Sequence, residues 1–187
     1  SLSNSKVSKK KYDICIISWN GRRDPNSIDP NSIDGTFARV LGFGNRKIDS
    51  IIKKYIGENN LKLVIALSTN TDYEKKYFKS LFGENIELIE RRHSLSTYET
   101  VCMSNISISF ASTMILEAIA LGNKGISIQF EDPDFCFDYP KEIKYLYKDY
   151  TAFNKYMNDL LEMTDLEYQN KIKINKEYIM NNDSKNP

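Results

Sequence analysis

Short apolar runs recur along the chain and are separated by polar segments. Two of these runs, Asp13–Trp19 and Leu61–Leu67, are almost entirely apolar. Such runs are typical of strands that are buried on both faces, as the strands of a parallel sheet are. Three further runs predict strands at Ile86–Ile89, Ile106–Phe110 and Gly125–Phe130.

Between the predicted strands the apolar positions change to a helical spacing. In Arg46–Ile56 they are separated by 3, 1, 3 and 1 residues, which describes one face of a helix, and Gly57 is positioned to end it. Gly83 and Gly122 are comparable stop signals. By the same criteria, helices are predicted over Asp72–Phe82, Ser94–Met103, Ser112–Leu121, and from Tyr145 to about Met180 in two or three pieces.

This alternation of strands and helices predicts an α/β fold. We expect a Rossmann-like parallel sheet of about five or six strands with helices on both faces. The length of 187 residues suits one domain, which we place at 12–180 between flexible tails at 1–11 and 181–187. Because ligands bind at the carboxyl ends of parallel strands, a site is expected in the loops after Trp19, Leu67, Ile89, Phe110 and Phe130.

Composition excludes several classes of partner. Lys and Arg number 26 against 25 for Asp and Glu, so there is no electrostatic case for binding nucleic acid or an anionic membrane. The apolar runs are too short for a membrane span. Three scattered cysteines without a CxxC pair indicate neither a disulfide framework nor a zinc site. The polar, Lys-rich start shows no signal peptide, so we expect a cytoplasmic protein. We also expect no cofactor.

The segment Asn105–Phe130 carries the most chemistry. It predicts a strand, a turn with Ser112 and Thr113, a helix and another strand. The start of a helix offers free N–H groups and a partial positive charge, which suit a phosphate. Glu117 lies one turn further on the same side, where a carboxylate can accept hydrogen bonds from two adjacent ribose hydroxyls. The alternatives are that Ser112 is an ordinary helix cap and that Glu117 is a solvated helix charge.

The same segment resembles the second-domain signature of GT-B-fold glycosyltransferases, including those that build surface polysaccharides. That signature runs through Ser112, Thr113, Glu117, Ala118, Ala120 and Gly122. The stretches Tyr98-Glu99 and Cys102–Asn105 resemble the short helix that precedes it. The resemblance implies that the Ser112–Thr113 turn faces the donor diphosphate and that Glu117 faces the ribose. The turn lacks the glycines frequent in this family, and nucleotide-sugar 2-epimerases share the fold and a similar turn.

Two loops supply further candidates for donor binding. Asn20, Gly21, Arg22 and Arg23 follow the first predicted strand, and guanidinium groups pair bidentately with phosphate oxygens. The alternative is an exposed basic loop. His93, the one histidine, follows the third predicted strand. It could contact the donor or act as a general base, and the alternative is a surface histidine.

Two acidic segments raise the question of a metal. Asp24–Asp34 is a five-residue repeat with three carboxylates, but it lacks EF-hand spacing and a bidentate glutamate. Glu131–Asp134 contains a DxD triplet, the metal motif of GT-A glycosyltransferases, in surroundings that do not suit that fold. We interpret both as loops and predict no metal site.

These observations lead to one preferred function and two alternatives. The chain is expected to be the donor-binding half of a glycosyltransferase that makes surface polysaccharide, with a nucleotide sugar as ligand. The glycan acceptor would bind through a second domain, and no catalytic residue is assigned. The alternatives are a sugar-nucleotide epimerase-like enzyme and a non-catalytic α/β binding module.

Overall fold

The computed structural model describes residues 10–18, 47–68, 71–91, 96–110, 112–129 and 141–172. Within these residues, six strands form one sheet: β1 Tyr12–Ile17, β2 Leu63–Ala66, β3 Glu87–Ile89, β4 Ser104–Ser109, β5 Lys124–Gln129 and β6 Lys144–Leu146. Their order is β3-β2-β1-β4-β5-β6, and every neighbouring pair is parallel. The predicted fold class is therefore confirmed, and β4, one of the predicted strands, lies in the middle.

Helices follow most of the strands. They are α1 at residues 47–59, α2 Asp72–Phe82, α3 Ser96–Cys102, α4 Met114–Ala120, α5 Tyr150–Glu162 and α6 Asp165–Ile172, with a 3₁₀ turn at Lys141–Ile143. The helix α2 has the predicted bounds. Gly83 ends it with a φ of 100°, and its N–H donates to the Lys79 carbonyl at 2.8 Å. A positive φ is the conformation for which glycine is preferred at this position.

Two predicted helix boundaries are wrong. Gly57 does not end α1, which continues to residue 59 and is followed by Asn60 with a φ of 51°. Asparagine tolerates this left-handed conformation and replaces glycine as the terminating residue. Tyr145 lies in β6, and α5 begins only after Asp149, whose side chain accepts a hydrogen bond from the Ala152 N–H at 2.9 Å. A three-residue strand has too few positions for its period to be read.

The strand register defines what each face of the sheet carries. Cys15, Ser107 and Gly125 are register partners across β1, β4 and β5, so they share one face. The helix α4 packs on this face at Gly125, where a Cβ atom would lie 3.0 Å from Ile119 Cγ1 and 3.3 Å from the Ile115 carbonyl oxygen. A residue without a side chain therefore allows α4 to lie directly on the sheet.

The opposite face carries Ile14, Ile106 and Lys124, which are also register partners. Lys124 is buried, and its ammonium group donates to the Leu160 and Met163 carbonyls at 2.8 and 2.6 Å. A cation at the end of α5 satisfies carbonyls that lack a partner within the helix. The helix α5 thus covers this face, and helices lie on both faces as the sequence predicts.

The core is formed by the apolar side chains of both faces and of the helices over them. In α1 and α5, Tyr55 and Phe153 are fully buried, with ring centroids 5.7 Å apart in an edge-to-face arrangement. Burial of one such side chain stabilises the fold by about 1.5–3 kcal/mol. The strands contribute a continuous layer of fully buried residues that includes Ile14, Ile16, Ile65, Ile106 and Ile108.

Candidate functional site

The middle of the sheet contains the point at which the strand order reverses. From β1 the chain adds β2 and β3 on one side and then β4, β5 and β6 on the other. In open parallel sheets, ligands bind in the crevice outside the carboxyl ends of the strands at such a reversal. Those ends are Ile17 of β1 and Ser109 of β4. Ser18 and Phe110, which follow them, therefore border the crevice.

The turn after β4 contains Ser112 and Thr113, as predicted. Thr113 is the N-cap residue of α4, with helical backbone angles, and its side chain makes no capping hydrogen bond to this helix. The Ser112 carbonyl accepts a hydrogen bond from the Ile115 N–H at 3.1 Å. The Ser112 carbonyl thus takes part in the first turn of α4, and the role of the Ser112 side chain stays a prediction. Both residues follow the carboxyl end of β4, where Thr113 is exposed and Ser112 is half-buried.

Glu117 lies one turn into α4. Its N–H donates to the Thr113 carbonyl at 3.4 Å, and residues at this spacing project from the same side of a helix. The side chain is half-buried, and its Oε2 accepts a hydrogen bond from the Tyr98 hydroxyl of α3. This bond, with partial burial, raises the pKa of the Tyr98 phenol above its usual range. Glu117 is thus not a freely solvated helix charge.

The other predicted site residues lie outside the part of the chain that the structure describes. These residues are Asn20, Gly21, Arg22, Arg23 and His93. The acidic segments 24–34 and 131–134 also lie outside it. Their roles stay predictions. The strands that precede the two loops, β1 and β3, are parallel members of the sheet, so the topological reason for these predictions holds.

A buried carboxylate at the same edge was not predicted. Glu74, in the first turn of α2, has no exposed surface. Its Oε1 accepts hydrogen bonds from the Ser68 N–H at 3.0 Å, from the Ser68 hydroxyl at 3.1 Å and from the Ser18 hydroxyl. Ser18 follows β1 and Ser68 comes shortly after β2. Glu74 therefore ties together the chain segments that leave two neighbouring strands.

The sequence did contain a signal for Glu74. Thr71 and Glu74 have the spacing of a capping box, in which the acidic residue points back toward the start of its helix. Thr71 Oγ1 accepts a hydrogen bond from the Glu74 N–H at 3.2 Å, as this motif requires. Glu74 also precedes the buried Phe78 by four residues, which places it on the inner side of α2.

The face of the sheet under α4 also carries buried polar side chains. Ser109 of β4 and Ser127 of β5 are register partners, and the Ser127 hydroxyl donates to the Phe110 carbonyl at 3.1 Å. Within the described residues, Ser107 Oγ, Ser109 Oγ and Gln129 Nε2 have no hydrogen-bond partner. Unpartnered buried polar atoms are rare in folded proteins. The sequence predicts strands here and assigns these side chains no role.

The described ranges lack two kinds of feature. No helix there is long and apolar enough to cross a membrane. In the same ranges, no group of three or more His, Cys, Asp or Glu side chains is arranged to hold a metal ion.

A family model for O-antigen biosynthesis proteins matches residues 43–187, which is more than half of the sequence. The chain belongs to this family. No curated protein sequence matches it.

Two solved structures share the fold. UDP-GlcNAc 2-epimerase from Neisseria meningitidis bound to UDP-GlcNAc superposes with a TM-score of 0.56 at 19% identity, over 93% of this chain and 42% of that one. TarM superposes with a TM-score of 0.52 at 12% identity, over 97% of this chain and 36% of that one. These matches confirm the predicted GT-B-type resemblance in fold. The chain spans less than half the length of either structure.

Proposed function

We propose that the chain binds a nucleotide-sugar donor as one half of a glycosyltransferase that builds surface polysaccharide. The observation that carries the proposal is the position of Ser112, Thr113 and Glu117 beside the crevice where the strand order reverses. Membership of an O-antigen biosynthesis family supports a polysaccharide product. The GT-B-type fold supports a sugar nucleotide as the ligand, because the superposed epimerase binds UDP-GlcNAc.

Each side chain has a separate task in this proposal. The hydroxyls of Ser112 and Thr113 donate hydrogen bonds to the diphosphate, and the ionised carboxylate of Glu117 accepts from the ribose hydroxyls. The loop with Arg22 and Arg23 adds positive charge against the phosphates. Fixed donors of this kind stabilise the charge that develops on the leaving phosphate. The acceptor and the catalytic base come from a second domain.

Glu117→Gln tests the ribose contact. It retains the size of the side chain but removes the charge, so UDP should bind about tenfold more weakly, which corresponds to about 1.4 kcal/mol. The melting temperature should stay nearly the same. Calorimetric titration with UDP and with 2′-deoxy-UDP measures the effect. The deoxynucleotide should bind the wild type more weakly than UDP does, and this difference should shrink in the variant.

The matched control is Glu162→Gln at the exposed end of α5. It makes the same chemical change on the opposite face of the sheet and should leave both affinities unaltered. If Glu117→Gln binds UDP as tightly as the wild type, Glu117 is not part of the site. If no nucleotide binds the wild-type chain, the non-catalytic binding module becomes the better explanation.

A bound metal is not required by this arrangement. Hydroxyl, N–H and guanidinium groups can hold a diphosphate without a divalent ion. We therefore expect the affinity for UDP to be the same in EDTA as in magnesium or manganese. Calorimetry in the three buffers measures this directly. A strict dependence on either metal would favour the acidic segment 131–134 over the Ser112–Thr113 turn as the phosphate site.

A second candidate function is epimerisation of a sugar nucleotide. It is favoured by the superposition on UDP-GlcNAc 2-epimerase, which includes 93% of this chain. Epimerisation needs no acceptor, so the two functions differ in what UDP-GlcNAc alone becomes. Incubation with UDP-GlcNAc, followed by NMR of the sugar, would show the C2 epimer only if the chain acts as an epimerase. A donor-binding half leaves the sugar unchanged.

A further inference from the structure

The Tyr98–Glu117 contact connects α3 and α4 beside the proposed site. Tyr98 lies near the middle of α3, and its hydroxyl donates to Glu117 Oε2. Both side chains are half-buried, so the contact lies at the surface of the packed helices and not in the core. The sequence resemblance includes Tyr98 in the short helix before β4 but assigns it no task.

The helix that carries Tyr98 is firmly held. Thr100 and Val101 are fully buried against the sheet. Thr100 Oγ1 donates to the Ser96 carbonyl at 2.8 Å, and the Ser104 hydroxyl donates to the Thr100 carbonyl at 2.8 Å. These bonds connect the start of α3 to the start of β4. The Tyr98 ring therefore projects from a fixed position, and its hydroxyl fixes the Glu117 carboxylate in turn.

The contact uses one of the two carboxylate oxygens. Among the described residues, Tyr98 is the hydrogen-bond partner of Oε2, and Oε1 accepts no hydrogen bond. An ionised carboxylate has about four lone-pair sites, so a partner on Oε2 leaves capacity for two more hydroxyl donors. The Glu117 carboxylate is thus oriented by Tyr98 and can still accept hydrogen bonds from a ligand.

We infer that Tyr98 is a positioning residue of the ribose site, holding Glu117 in one rotamer so that the carboxylate is presented to the 2′- and 3′-hydroxyls. The inference rests on the proposed function. A free glutamate loses rotamer freedom when it binds a ligand, and that loss weakens binding. With Tyr98 in place, this ordering is already complete before the nucleotide arrives.

Tyr98→Phe tests the inference because it removes the hydroxyl and keeps the ring. UDP should bind about fivefold more weakly, since Glu117 must be ordered on binding. Binding of 2′-deoxy-UDP should change much less, because it makes fewer contacts to the carboxylate. The preference for ribose over deoxyribose is therefore the decisive measurement, since a general loosening of the fold would weaken both ligands equally.

Tyr150→Phe is the matched control. The Tyr150 hydroxyl also donates to a glutamate, Glu58 Oε2, but on α5 and α1 at the opposite face of the sheet. This variant should leave both nucleotide affinities unaltered. When Tyr98→Phe is added to Glu117→Gln, UDP binding should weaken almost no further, because Tyr98 acts through the Glu117 carboxylate.

The outcomes separate this inference from the proposed function. If Glu117→Gln weakens UDP binding and Tyr98→Phe does not, the positioning role is wrong and the ribose site stands. If Tyr98→Phe weakens UDP and 2′-deoxy-UDP equally, the contact is only a structural tie between helices and the inference is overturned. If Glu117→Gln has no effect, the ribose site itself fails, and the positioning role fails with it.

Discussion

Glu74→Ala should lower the free energy of unfolding by about 3 kcal/mol. The carboxylate is completely buried and accepts three hydrogen bonds from Ser18 and Ser68. Hydrogen bonds to a charged group are stronger than those between neutral groups. A buried donor whose acceptor is removed is also left without any hydrogen-bond partner, which costs further free energy. For a chain of this length the melting temperature should fall by about 6–12 °C.

Glu84→Ala is the control for this change. The Glu84 side chain is 80% exposed and pairs with Lys79 at 3.3 Å. Exposed ion pairs contribute little, so this variant should change the free energy of unfolding by less than about 1 kcal/mol. Urea denaturation of both variants measures the difference. Equal effects would show that Glu74 does not support the segments that follow β1 and β2.

Gly125→Ala should lower the free energy of unfolding by about 2 kcal/mol. The new methyl group would lie 3.0 Å from Ile119 Cγ1 and 3.3 Å from the backbone oxygen of Ile115. Ile119 is fully buried, so the contact must be relieved by a shift of α4 or of the Ile119 side chain. Because α4 carries Glu117, this variant should also bind UDP more weakly.

The same substitution at Gly57 should have the opposite sign. Gly57 lies within α1, and among the described residues no atom beyond its chain neighbours and the adjacent helix backbone lies within 4 Å of the position a Cβ would take. Alanine is the better helix former by about 1 kcal/mol, so Gly57→Ala should stabilise the protein by up to that amount. Urea denaturation of the two variants measures both free energies of unfolding and so compares the effect of packing at Gly125 with that of helix propensity at Gly57. Destabilisation of similar size at both positions would contradict the packing argument for Gly125.

The sequence predicts most of the sheet because buried parallel strands leave a simple pattern. β1 and β2 are apolar runs, whereas β4 and β5 alternate isoleucine with small or polar residues. The bounds of all four strands lie within two residues of those predicted. β6 was missed because three residues, Lys144–Leu146, carry no measurable period. Its pairing with Gln129 and its neighbours comes from the tertiary structure and not from local preference.

The relative positions of site residues could be predicted from the sequence only where the residues lie on one helix. Thr113 and Glu117 are four residues apart on α4, so their common side follows from helix geometry alone. Tyr98 and Glu74 depend on contacts between elements. Tyr98 meets Glu117 only because α3 and α4 pack on the same sheet, and Glu74 meets Ser18 across 56 residues of sequence. No periodicity within a single element encodes either contact.

The pairing of β1 with β4 affects how the protein folds during its synthesis. Asp13 and Asn105, whose side chains bond at 3.3 Å, are 92 residues apart in the chain. Contacts between such distant segments form slowly because a long loop must close first. During synthesis, one edge of β1 stays unpaired until β4 has left the ribosome. Unpaired strand edges can pair with other chains, which leads to aggregation. The crevice between these strands therefore cannot form before β4 has been synthesised, about 90 residues after β1.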